Sequence, residues 1–179
     1  MGDIQTDAGL VSAALAGSDA AFGQLVRRHQ AVVRGFLRRT LGGGWAEADD
    51  LAQETFLAAW GSLRSLKDPD GLRAWLCGIA WRKAQDRIRS ARRTAVRDGA
   101  WLETLDLPAG VSNEDRLSMA AAMAELTPDV RACVSLCLAD GWSHPEAAQA
   151  LGLPLGTVKS HVQRGRARLL KALGGPDDA

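Results

Sequence analysis

The stretch from Ser143 to Ser160, SHPEAAQALGLPLGTVKS, constrains the fold of this chain more than any other. Ser143 and Glu146 stand three residues apart, the spacing at which each side chain satisfies a backbone N–H of the other's turn in a capping box. Ala147, Ala148 and Leu151 give the helix that follows a small-residue face for close packing. Gly152 ends that helix at a sharp turn, and Leu153 plugs the space between it and a second helix. The second helix opens near Leu155 and runs to about Leu173. The result is a helix-turn-helix, whose two short helices need further helices to bury their apolar faces.

The second helix carries Lys159, Arg164, Arg166, Arg168 and Lys171, with no acidic residue between Gly152 and Leu173. At 100° per residue Val158, Val162 and Leu169 point inward, while Lys159, Ser160, Gln163 and Arg164 share the outward face. A helix in the DNA major groove needs polar and cationic side chains there. Arg166 and Arg168 are better placed for phosphates. A solvated basic face on a bundle helix would carry the same charges without the turn chemistry upstream, and that chemistry favours DNA.

The rest of the chain reads as helix. Its 179 residues hold one ordinary domain or two small helical ones. Ala, Leu and Arg dominate and β-branched residues are sparse, which favours helix over strand. Ser18 is the N-cap of a long helix with Phe22, Leu25, Val26, His29, Val32, Val33, Phe36 and Leu37 on its apolar face. Gly42-Gly43-Gly44 breaks it. A second helix spans about Ala46 to Ser62, with Leu51, Phe56, Leu57 and Trp60 as core. Ser65 to Gly71 is a loop, because Asp68-Pro69 and Asp70-Gly71 both favour turns. A third helix, from Leu72 to about Arg93, buries Leu72, Trp75, Leu76 and Ile79. The helical period is lost from Ala95 to Ser112, where Leu107-Pro108-Ala109-Gly110 marks a linker with Trp101 and Leu105 as candidate tethers. Regular structure resumes near Asn113, and Thr127-Pro128 starts another helix with an N-cap and a first-turn proline. The expected architecture is all-α: two small helical domains, 1–94 and 113–179, joined by a flexible linker at 95–112.

Three cysteines make no disulfide framework and suit a reducing compartment. Cys133 and Cys137 with His144 suggest a metal pair, but Val130, Cys133, Val134, Cys137 and Leu138 form one apolar stripe at helical spacing, which favours core cysteines and no metal. His29, His144 and His161 lie far apart, and no nucleophile accompanies them. Neither an enzyme nor a cofactor is expected. No apolar run approaches the ~20 residues of a membrane span, and the acidic start from Met1 to Asp7 lacks a signal-peptide pattern. No membrane insertion and a cytoplasmic location are expected.

Net charge is only +1, but its distribution is uneven. Arg82, Lys83, Arg87, Arg89, Arg92, Arg93 and Arg97 cluster on and past the third helix against a single acid, Asp86. Glu47, Asp49, Asp50 and Glu54 lie on the second helix, with no Lys or Arg from Leu41 to Gly61. Such polarisation suggests one face for nucleic acid and another for a basic protein surface. Trp81 points away from the Leu72, Trp75, Leu76 and Ile79 stripe. It can stack on an unpaired base, or pack with Ile88 beneath a neighbouring helix.

Three motifs together resemble the sigma-70 family of bacterial RNA polymerase sigma factors. Asp50-Leu51-Ala52-Gln53-Glu54-Thr55-Phe56 resembles the D-L-x-Q-E-x-F pattern of region 2. Trp75-Leu76-Cys77-Gly78-Ile79-Ala80 is similar to the family's W-L-x-x-I-A stretch. Gly156-Thr157-Val158-Lys159-Ser160, followed by Arg164, Arg166 and Arg168, resembles the region 4 recognition helix. The similarity covers about Asp19 to Leu173, without regions 1.1 and 3, which marks the small extracytoplasmic-function group.

The resemblance implies partners and roles: core RNA polymerase, through its β′ clamp helices and β flap, promoter DNA, and a cognate anti-sigma protein. Asp49, Asp50, Gln53, Glu54 and Trp60 would dock on polymerase. Lys67, Asp68 and Asp70 would belong to the loop that captures a flipped base of the minus-ten element, with Trp81, Arg82, Lys83, Arg87 and Arg89 beside the separated strand. Lys159, Ser160, His161, Gln163, Arg164, Arg166 and Arg168 would serve the minus-35 element. Arg82 stands where many relatives carry Asn, His161 replaces a frequent Arg, and Gly165 replaces a frequent Ala, at about 1 kcal/mol of helix propensity. Two other classes remain as alternatives: a stand-alone helix-turn-helix regulator, and a sigma mimic that binds an anti-sigma protein without reading DNA.

Overall fold

A computed structural model describes residues 6–42, 45–98, 119 and 121–172, and their ordered segments are helical. Seven α-helices are α1 (Asp7–Leu15), α2 (Asp19–Leu41), α3 (Trp45–Ser62), α4 (Leu72–Asp98), α5 (Pro128–Val134), α6 (His144–Leu151) and α7 (Leu155–Ala172). A further helical turn occupies 121–124. Short 3-10 turns at Leu63–Ser65 and Pro69–Gly71 join α3 to α4. Most of the linker, with Trp101 and Leu105, and the expected restart near Asn113 lie outside the described residues.

Local chemistry sets the helix ends. The Ser18 hydroxyl accepts from the Ala21 N–H at 3.2 Å, and Gly42 closes α2 in the left-handed conformation at φ 67°. Thr127 occupies the N-cap of α5, but its side chain makes no capping bond. α4 continues to Asp98, past its expected end near Arg93.

The N-terminal bundle packs α1 to α4 around Leu10, Leu25, Phe36, Leu37, Leu63, Leu72 and Trp81. α3 turns Ala48, Leu51, Ala52, Thr55, Phe56 and Ala59 inward. Its three alanines allow close approach of the neighbouring helices, and the Thr55 hydroxyl satisfies itself by donating to the Leu51 carbonyl at 2.7 Å. Leu57 and Trp60 are not core: they are 72% and 40% exposed. One residue beyond Phe56, Leu57 is rotated 100° off the buried stripe, so its hydrophobicity misplaces it.

The C-terminal bundle also departs from ideal periodicity. α5 widens into a π-helical stretch at Ser135–Ala139, where the Asp140 N–H bonds the Ser135 carbonyl at 3.1 Å. The wider turn shifts the register, so Leu136 is buried while Leu138 is exposed and drops out of the expected stripe. Cys133 remains inside, and burial pushes its thiol up to about 12. Gly165 on α7 faces α5, where a Cβ would collide with Val134 and lie 3.1 Å from Val130 Cγ1. It is therefore a packing residue rather than only a weak helix former.

Linker or not, the two bundles touch. α4 lies between them: Leu76, Cys77, Ala80 and Trp81 share one continuous core with Ala132, Leu136, Trp142, Ala147 and Ala150 of the C-terminal bundle. This is why α4 is buried well beyond the single stripe its sequence suggests.

Gly165→Ala is expected to reduce folding stability by roughly 1 kcal/mol, because overpacking against Val134 outweighs the gain in helix propensity. Denaturant unfolding checks this, and a more stable variant would show that α5 yields freely.

Candidate nucleic-acid interface and acidic docking face

The helix-turn-helix is built as its residues require. The Ser143 N–H donates to Glu146 Oε2 at 2.8 Å and the Glu146 N–H to Ser143 Oγ at 3.4 Å, completing the capping box. The Ser143 hydroxyl, donating to Oε2 at 2.6 Å, and the Ser143 N–H hold the Glu146 carboxyl below the usual range. Gly152 makes the turn at φ 66°, and Leu153 packs against the core. α7 buries Val158, Val162, Gly165 and Leu169, which presents Lys159, Ser160, Gln163, Arg164, Arg166 and Arg168 to solvent. The Arg164 guanidinium lies along the helix, donating to the Ser160 carbonyl at 3.2 Å and meeting His161 Nδ1 at 2.8 Å. His161 thus braces Arg164, a role that its replacement of a cation did not suggest.

In the 3-10 turn at Pro69–Gly71, Asp68 Oδ1 accepts from the Asp70 N–H at 3.1 Å, while Lys67, Asp68 and Asp70 stay exposed. Arg82 and Arg89 are exposed on α4, with Arg89 3.7 Å from Asp86. Trp81 is different. It is 2% exposed and meets Phe36 edge-on at 6.5 Å, so of its two readings the structure shows packing. In this conformation α4 is covered on both sides, and the indole lies in the core rather than on the exposed surface expected for the minus-ten element.

The acidic and basic patches, expected to form one face and another, are neighbours that pair with each other. Lys83 pairs with Glu54 at 3.0 Å, Arg87 pairs with Glu47, and Asp49 takes Arg38 at 2.9 Å and Arg34 at 3.6 Å. Pairing with Glu47 raises Arg87 above its ordinary value. Each of these pairs is partly solvated, so a partner can exchange them at small cost. Asp50 and Gln53 stay exposed.

Next to them lies a groove of about 520 Å³ between α2 and α3, with Phe22, Val26, Phe56, Leu57 and Trp60 among its walls. Phe22 and Trp60 meet at 4.6 Å between ring centroids. Hydrophobicity alone places Leu57 in the core, where the structure does not. Its spacing held the better signal: Asp50, Gln53, Glu54 and Leu57 stand at i, i+3, i+4 and i+7, one helix face.

Trp81→Ala is expected to lower stability by about 3 kcal/mol. An unchanged melting temperature with selective loss of DNA binding would show instead that the indole reaches a base.

Known proteins share this arrangement. The sigma-70 region 2 family matches residues 25–94, and the sigma-70 region 4 family matches 116–169. The RNA polymerase sigma factor CnrH of Cupriavidus metallidurans is 36% identical over 174 residues, covering 89% of this chain and 90% of that protein. NccH of Alcaligenes xylosoxydans xylosoxydans, also an RNA polymerase sigma factor, is 34% identical and covers 97% of each. Among solved structures, the sigma factor RpoE of Bartonella quintana, in complex with the anti-sigma factor NepR, superposes with a TM-score of 0.76 at 30% identity. That match covers 86% of this chain and 96% of RpoE. CnrH in complex with the cytosolic domain of CnrY gives 0.69 at 33% identity, covering 97% and 99%. Among the described residues no helix is long and apolar enough to cross a membrane. With both regions matched in order, and with relatives aligned along most of their length, the chain belongs to the extracytoplasmic-function group of the sigma-70 family of RNA polymerase sigma factors.

Proposed function

We propose that this sigma factor docks on core RNA polymerase through the outward face of α3 and reads its promoter with two separate surfaces. One observation carries the reading: an exposed acidic face and an exposed cationic recognition helix coexist on one chain. Asp50, Gln53 and Glu54 form the polar part of the docking face, Leu57 and Trp60 its apolar part, and Asp49 a half-buried anchor between them and α2. A basic polymerase element displaces Lys83 and Arg87 from Glu54 and Glu47. That exchange frees both cations for the separated DNA strand beside Arg82 and Arg89. Lys67, Asp68 and Asp70 shape the loop that holds a flipped base. On α7, Lys159, Ser160, Gln163 and Arg164 read bases of the minus-35 element, and Arg166 and Arg168 hold phosphates.

We assign the same apolar groove to a protein antagonist of anti-sigma type; among the relatives, RpoE is solved with the anti-sigma factor NepR and CnrH with the cytosolic domain of CnrY. Its occupancy of Leu57 and Trp60 would exclude polymerase. A stand-alone regulator would not need the α3 face, and a sigma mimic would not need the cations of α7.

Reconstitution with core polymerase, followed by mapping of transcript starts, tests the reading. Glu54→Lys should abolish polymerase binding, whereas Arg164→Ala should spare it and relax promoter choice by about 1–3 kcal/mol at one base pair. Arg166→Ala should weaken binding to all sequences alike and lower the salt slope by about 0.9. Failure to bind core polymerase contradicts the proposal. Binding without promoter-specific transcripts favours the mimic.

A further inference from the structure

An arginine reads guanine by presenting two N–H groups to O6 and N7, and so long a side chain must be held still to do it. Arg164 is held by its own helix. Its Nε donates to the Ser160 carbonyl at 3.2 Å, and its Nη2 meets His161 Nδ1 at 2.8 Å. Ser160 and His161 stand four and three residues earlier, so both supports come from the turn beneath the guanidinium. The Ser160 hydroxyl turns back to donate to the Thr157 carbonyl at 3.0 Å, which leaves the Ser160 carbonyl to Arg164. The contact at Nε occupies the side edge of the guanidinium, and the contact with His161 uses one hydrogen of Nη2. What remains for a base is the end of the fork: both hydrogens of Nη1 and the other one of Nη2.

A guanidinium donates and cannot accept, so the 2.8 Å contact requires a lone pair on His161 Nδ1. That requirement fixes the imidazole as the neutral tautomer with its hydrogen on Nε2. A Lys or Arg at position 161 would offer no acceptor and would repel Arg164 instead. The imidazole is also well placed to act as a support. It is half-buried on the flank of the inward stripe of Val158, Val162 and Gly165. At Gly165 that stripe is seated so closely on α5 that a Cβ would collide with Val134. The ring therefore stands on a part of α7 pressed against the bundle, and Arg164 stands at the exposed edge beyond it.

We propose that His161 is a positioning residue that sets the base preference of Arg164, by accepting from its guanidinium and so aiming the end of the fork. The inference rests on the reading of α7 as the minus-35 helix. It assigns selectivity at one base pair to two side chains acting together. A braced fork meets its base with little rotamer freedom left to lose. Without the brace Arg164 keeps its charge but spreads over many rotamers, from which it can meet a phosphate or a neighbouring base. Phosphate contacts carry no sequence information, so loss of the imidazole costs discrimination rather than general affinity.

The test titrates holoenzyme, reconstituted from core polymerase and the full chain, with a promoter panel in which each minus-35 base pair is changed in turn. His161→Ala should reduce discrimination at the base pair that Arg164→Ala relaxes, by roughly two- to tenfold, the cost of immobilising one long side chain. His161→Asn, whose Oδ1 can stand where Nδ1 stands, should retain most of that discrimination. His161→Arg should lose it despite the added charge. In the Arg164→Ala background, His161→Ala should change nothing further at that pair. An effect at a different base pair, additivity in the double variant, or His161→Asn no better than His161→Ala would overturn the inference. Nitrogen NMR of the free chain, labelled at its three histidines, reads the tautomer directly. His161 should carry its hydrogen on Nε2, and a hydrogen on Nδ1 would overturn the brace. If Arg164→Ala relaxes no base pair, the minus-35 reading itself fails; if it relaxes one and His161→Ala does not, only the positioning role fails.

Discussion

At position 78 the absence of one methyl group lets two helices from different halves of the chain lie in backbone contact, and much of the architecture follows from that approach. Because α6 rests on α4, the cores of the two bundles run together, and α4 is buried on faces that a helix of a single bundle would leave wet. Trp81 is enclosed for this reason, Cys77 is covered with its thiol pushed up to about 12 by burial, and Asp140 is brought between Arg39 and Arg73. What remains outside is the acidic face of α3, the loop before α4 and the cationic face of α7, the surfaces proposed above for docking and for reading.

Two kinds of contact share this seam, and they differ in strength. Apolar burial of Leu136, Ala147 and Ala150 against α4 favours closure in proportion to the area removed from water. The polar groups around it oppose closure, since a buried donor or acceptor left without a partner costs about 1–3 kcal/mol. The ion pairs of Lys83 with Glu54 and Arg87 with Glu47 are partly solvated, so each exchanges at small cost.

Much of this was legible in the amino-acid order, where the signal was local. The capping box at Ser143 and Glu146, the left-handed Gly152 and the inward Val158 and Val162 each follow from chemistry within a few residues. The outward cations of α7 follow as well, since a helix has only one face to give away. What escaped depended on non-local contact or altered helical geometry. Leu57 was misplaced because hydrophobicity outweighed register, and Leu138 because a π-turn at Ser135 changed that register. Gly165 looked like a defect until Val134 stood opposite it. The acidic and basic patches, read as one face and another, meet because α3 and α4 pack side by side. The seam itself left only Gly78 as a trace, inside a motif read for its family resemblance.

The central claim is that two separate surfaces of one chain read DNA, and that they do so only together with polymerase. Footprinting of a promoter with core polymerase and this chain measures that most directly. The account predicts two protected segments about two helical turns apart, each turn ~34 Å, and no protection at these concentrations by the chain alone. A single helix-turn-helix-sized footprint that forms equally well without polymerase would contradict it.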